Sequence, residues 1–127
     1  MRQLKDGATT LHVVSDKDGT PTYTQDFACN VKALLAHEYW GLYNMVCGGQ
    51  TSRYEVAAEL LAQLGLQDTV KLIAVTSDHF KDEYFAPRPA CERLVNTKLN
   101  LRKLNLMSDW RDALSLYLKE YYQGYVK

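Results

Sequence analysis

Net charge is missing from this chain. Fifteen lysines and arginines balance fifteen aspartates and glutamates over 127 residues. No bulk field therefore draws it to nucleic acid or to an anionic membrane. Long apolar runs are missing too: none approaches the roughly 18 residues of a bilayer-spanning helix. The opening residues Met1-Arg2-Gln3-Leu4-Lys5-Asp6-Gly7 lack the apolar stretch of a signal peptide. A cytoplasmic protein with neither nucleic-acid nor membrane partners is expected. Cysteine is scarce. Cys29, Cys47 and Cys91 are odd in number and far apart. That suits free thiols in a reducing compartment better than a disulfide or zinc framework, and no metal site is expected. Repeats and low-complexity tracts are absent. Glycine is never spaced as GxG; Gly48-Gly49 is the one close pair. The phosphate-binding fingerprint of a dinucleotide fold, which needs closely spaced glycines between a strand and a helix, is therefore lacking, and no cofactor site is expected in this chain.

What remains is an ordinary globular composition, 46% apolar and 24% charged, in a length that suits one domain over residues 1–127. The chain is organised around Val13 to Ala28, a strand end, a polar turn and a helix start in one run. Leu11–Val14 reads as a buried strand. Asp16 to Gly19 breaks it, Pro21 restricts itself and Thr20, and Asp26 is placed to cap a helix running to about Glu38. Asp16-Lys17-Asp18-Gly19 imitates a calcium loop, but loop positions six and twelve would be Pro21 and Phe27, so calcium is excluded.

Further along, Leu42–Cys47 reads as a second strand. Ser52-Arg53-Tyr54-Glu55 is a capping box opening a helix with Ala57, Leu60, Leu61 and Leu64 on one face, and Gly65 stops it. Val70–Val75 reads as a third strand. Thr76–Ala86 looks irregular and Pro87-Arg88-Pro89 rigid and extended. Asn96 is placed to cap a short helix. Trp110, Ala113, Leu114, Tyr117, Leu118 and Tyr121 mark an amphipathic last helix, its tyrosines packing rather than stacking on bases. Residues 2–6 read as a helix tail ended by Gly7. Alternating strands and helices give an α/β class with parallel pairing, here between Leu11–Val14 and Leu42–Cys47. Three short strands with about four helices make a small sheet. Ser52 reads as a cap, not a nucleophile. A Cys47 nucleophile paired with His12 or His79 is set aside in favour of a buried thiol.

Five segments stand together in order: Asp16-Lys17-Asp18-Gly19-Thr20-Pro21-Thr22-Tyr23; Gly41-Leu42-Tyr43-Asn44; Gly49-Gln50-Thr51-Ser52-Arg53-Tyr54-Glu55; Arg88-Pro89 with Leu94; and Trp110 with Leu114. In this the chain resembles the dTDP-4-dehydrorhamnose reductases, extended short-chain dehydrogenases that act on nucleotide sugars. The resemblance covers nearly the whole chain and looks like the C-terminal, substrate-binding part of that Rossmann-like fold. It departs at Lys17, where the family reads Gln, and at Cys91-Glu92, where it reads Asn-Ser. It implies a dTDP-sugar ligand, with Arg88 gripping the diphosphate through its planar fork. It also implies polar contacts from Lys17, Thr20 and Thr22 at the sheet's edge. Without it, Arg88 reads equally as a surface ion pair with Asp82, Glu83 or Glu92, and the others as turn chemistry. The family's catalytic Tyr with Lys four residues on is absent; none of the nine tyrosines has it. The chain thus looks like the substrate-binding part of a reductase in dTDP-rhamnose biosynthesis, with NADPH or NADH bound by the intact enzyme and no catalytic residue here. Exposed sheet edges and helix faces are expected to drive homo-oligomerisation. A non-catalytic nucleotide-sugar-binding or regulatory interaction module is the alternative, and an unrelated α/β interaction domain the third reading.

Overall fold

The computed structural model describes residues 1–83, 86, 88–122 and 124. In chain order the elements are α1 (Arg2–Lys5), β1 (Thr10–Val14), β2 (Asp18–Gly19), α2 (Thr24–Ala36), β3 (Thr51–Ser52), α3 (Arg53–Gln63), β4 (Lys71–Val75), a 3-10 turn (Ser77–Phe80), α4 (Thr97–Leu101) and α5 (Trp110–Tyr121). They form two units, each from discontinuous stretches. The first comprises 1–19 with the described residues of 51–92; the second comprises 20–50 with 93–122.

In the first unit β1 pairs with β4, parallel, from Thr10 opposite Lys71 to Val14 opposite Val75. The helix α3 packs against both strands. Its start is the capping box read from the sequence: Ser52 Oγ accepts the Glu55 N–H at 3.2 Å, and Glu55 Oε2 accepts the Ser52 N–H at 2.7 Å. Its end is Gly65, at φ +68°, where a side chain would be strained. Val14, Leu61, Leu64 and Val70 make the apolar core. A second, two-residue ladder pairs Asp18 with Ser52 and Gly19 with Thr51, antiparallel.

The expected partner of β1 was wrong. Leu42–Cys47 forms no strand and lies in the second unit; β4 takes its place. In that unit two buried asparagines replace a ladder. Asn96 Oδ1 accepts the Val46 N–H at 3.0 Å and its Nδ2 donates to the Val46 carbonyl at 2.7 Å. Asn30, on α2, donates to the Leu104 carbonyl at 2.6 Å and accepts the Leu106 N–H at 2.8 Å. Asn96 stands before α4 as expected, but with its amide engaged on Val46 it makes no side-chain cap there. Likewise Asp26 does not cap α2, whose N-cap is Tyr23; it lies inside the helix and accepts the Ser108 N–H at 3.1 Å.

The core of the second unit is Leu34, Cys47, Leu99, Trp110, Ala113 and Leu118. Gly49 makes room for Trp110. At φ +87°, a Cβ there would stand 2.6 Å from the indole Cδ1. Residues 77–80 form a 3-10 turn where irregular chain was expected, because Thr76 ends β4 and the Ser77 N–H finds a carboxylate. Pro87, part of the expected rigid segment, lies outside the described residues.

Candidate anion-binding loop after the first strand

The parallel pair β1–β4 sends both strands the same way, so the chain after Val14 and the chain after Val75 leave at one end. There Asp16 ties the two together. Its Oδ1 accepts the Ser77 N–H and its Oδ2 accepts the Ser77 hydroxyl, both at 2.9 Å. The bond from the Ser77 amide, above all, holds the Asp16 carboxyl below its ordinary range. Ser15 adds its N–H to the Val75 carbonyl at 3.0 Å.

One residue further the loop meets the stretch that carries Arg88. Lys17 Nζ donates to the Arg88 carbonyl at 2.9 Å. The Asp18 N–H donates to the Ala90 carbonyl at 2.8 Å, and the Glu92 N–H to the Asp18 carbonyl at 2.9 Å. Residues 88–92 are thus laid along Lys17-Asp18 by three bonds, with Asp18 and Cys91 bridged in parallel. The Arg88 side chain is exposed. Lys17, half-buried, keeps further donors beyond the one that holds Arg88.

Of the four residues singled out from the sequence, Lys17 and Arg88 are brought together. Thr20 and Thr22 belong to the other unit. Thr20 Oγ1 donates to the Gly49 carbonyl at 2.8 Å, the turn chemistry that the sequence also allowed; Thr22 is exposed. The Asp16–Ser77 latch went unread. Its only signal was a serine just past the end of a strand, the place where a 3-10 or helical turn presents free N–H groups.

Other chemistry is closed off locally. Cys47 Sγ receives the Tyr23 N–H at 3.4 Å, and burial pushes its thiol up, away from the nucleophilic thiolate. His12 and His79 stack on each other, 5.2 Å between ring centres. No group of three or more His, Cys, Asp or Glu among the described residues is placed to hold a metal. At the end of β4 the Ser77 N–H is already taken by the Asp16 carboxylate, so that one amide is not free for a phosphate.

The chain spans about two-fifths of the length of the curated relatives it matches. Spore coat polysaccharide biosynthesis protein SpsK of Bacillus subtilis is 33% identical over 120 residues, 94% of this chain and 40% of the relative. The dTDP-4-dehydrorhamnose reductase of Mycobacterium tuberculosis is 32% identical over 122 residues, 93% of this chain and 38% of the relative. Among solved structures, a dTDP-4-dehydrorhamnose reductase from Clostridium acetobutylicum superposes with a TM-score of 0.86 at 29% identity, over 94% of this chain and 41% of that one. A reductase of the same name from Bacillus anthracis, solved in complex with NADP, gives 0.82 at 23% identity over the same shares, a likeness of fold. The match to RmlD substrate binding domain runs over residues 1–123, so the chain belongs to that family.

Proposed function

We propose that this chain is the nucleotide-sugar-binding portion of a reductase that converts dTDP-4-dehydrorhamnose, or a closely related 4-keto dTDP-sugar, to the alcohol. The observation that carries the reading is the pinned Arg88 backbone beside Lys17, at the C-terminal end of a parallel strand. Such ends are where α/β folds collect ligands. A guanidinium on a fixed stretch of backbone loses little freedom when it docks, and its fork matches a diphosphate. Lys17 adds positive charge to the same place. For Thr20 and Thr22 the support is the resemblance of Gly19-Thr20-Pro21-Thr22 to the family's segment.

The intact enzyme, on this proposal, takes hydride for the 4-keto carbon from NADPH or NADH held outside this chain. The role of residues 1–127 is to bind and orient the sugar nucleotide. The three free thiols suit action in the cytoplasm.

Calorimetry with dTDP tests the site. Arg88→Ala is expected to weaken binding about tenfold, since a charge-assisted bond contributes roughly 1.5–3 kcal/mol. Arg88→Lys is expected to recover only part, because a point charge does not reproduce the fork. If Arg88→Ala binds dTDP as wild type does, Arg88 is a surface residue and the site lies elsewhere. The purified chain alone is expected to leave NADPH unoxidised in the presence of dTDP-4-dehydrorhamnose.

A further inference from the structure

Every exposed large apolar side chain among the described residues belongs to the second unit. Three stand out furthest: Leu42 at 86%, Leu101 at 81% and Trp40 at 72% exposure. They sit around one cluster. On α4 and its C-cap, Lys98, Leu101 and Arg102 follow at i, i+3 and i+4, which puts them on one side of the turn. The stretch from Tyr39 to Tyr43 lies against them. The Arg102 guanidinium carbon is 4.2 Å from the Tyr39 ring centre and 5.5 Å from that of Tyr43. Lys98 Nζ is 4.9 Å from the Tyr43 ring centre, and 3.5 Å from where a Cβ on Gly41 would be. Gly41, at φ +130°, joins Trp40 to Leu42 in a conformation closed to other residues.

Neither cation is ion-paired with a carboxylate among the described residues, Glu38 next to Tyr39 included. Both are set against aromatic faces instead, which orders the charges without neutralising them. The surface therefore offers positive charge and protruding apolar tips together. A second copy of the chain is a poor occupant, because self-pairing of this patch brings like charges together. A folded protein partner needs a pocket for each protruding tip. A lipid headgroup layer needs none: it takes tryptophan at the polar boundary, leucine just below it, and lysine and arginine on its phosphates.

We propose that this patch docks the protein on an anionic membrane surface, with Trp40, Leu42 and Leu101 entering the boundary between headgroups and acyl chains while Lys98 and Arg102 meet lipid phosphates. The chain as a whole is neutral, so the attraction is local, modest and sensitive to salt.

Tryptophan fluorescence of the 127-residue chain tests this, because the only other tryptophan, Trp110, is 1% exposed and reports the core. With phosphatidylglycerol vesicles the emission is expected to shift blue and to be quenched by lipids brominated in the acyl chain. Phosphatidylcholine vesicles or high salt are expected to abolish the effect. Trp40→Phe is expected to bind and lose the shift. Each of Lys98→Gln and Arg102→Gln is expected to weaken partitioning by roughly fivefold, and Leu42→Ser with Leu101→Ser to weaken it further, all with unchanged Trp110 emission and circular dichroism. Absence of a shift overturns the proposal. So does equal binding to neutral vesicles, or undiminished binding by the variant that combines Lys98→Gln with Arg102→Gln. A shift with polyglutamate and none with vesicles assigns the patch to an acidic protein and overturns it too.

Discussion

Asn30 and Asn96 show what a single residue can do in place of a strand. Each presents a donor and an acceptor to one extended stretch of backbone, as a neighbouring strand would. Asn30 is wholly buried and serves the Leu104 carbonyl and the Leu106 N–H. Removing it leaves two backbone groups without partners, at about 1–3 kcal/mol each. Asn30→Leu, close in volume, is therefore expected to remove several tenths of the unfolding free energy of a small domain and to lower the urea midpoint in the same proportion. An unchanged midpoint would mean that water reaches both groups. Asn96 was read only as the residue before α4, not as a partner of Val46, and Asn30 was not legible at all. In a helical pattern an isolated amide reads as an indifferent polar position, because its partners lie 74 and 76 positions away.

Among the elements, those set by local chemistry were legible. The capping box at Ser52, the glycine that follows α3, and the amphipathic face of α5 depend on neighbours within a few residues, so sequence spacing carries them. Leu42–Cys47 failed for the opposite reason. An apolar run of that length fits a strand or any buried extended chain, and pairing decides between them. Here Asn44 and Val46 bond to Val95 and Asn96 through side-chain amides instead of a ladder. The loop after β1 was read as a ligand-bearing loop, which stays a proposal; that Lys17 also holds the Arg88 backbone depends on a contact 71 positions away. Two helices of the second unit are joined by Tyr23, at the start of α2, whose hydroxyl donates to Glu120 on α5 at 2.8 Å. That bond to a carboxylate, with burial, pushes the phenol from 10.0 to about 12. The folded form holds this proton more tightly than the unfolded one, so the contribution is complete below pH 10 and is lost as pH rises through 12. Thermal melts are expected to fall across that window. In Glu120→Gln the Tyr23 resonance in labelled-tyrosine NMR is expected to titrate nearer its ordinary value.

At the scale of the whole molecule, the β1–β4 sheet has two strands among the described residues, so each has one edge without a strand beside it. Bare edges seek strands. We expect the isolated chain to self-associate through them, seen as a rise in light-scattering mass with concentration; a monomer at every concentration would count against it. The order of pairing has a consequence during synthesis. The ends of the sheet are latched by Asp16 and Ser77, 61 positions apart, and each unit is assembled from stretches interrupted by the other. A ribosome adds 5–20 residues each second, so β1 waits on the order of seconds for β4 to be made. During that interval Leu11, Val13 and Val14 lack β4, their strand partner among the described residues, and this is when this part of the nascent chain has most need of a holding chaperone.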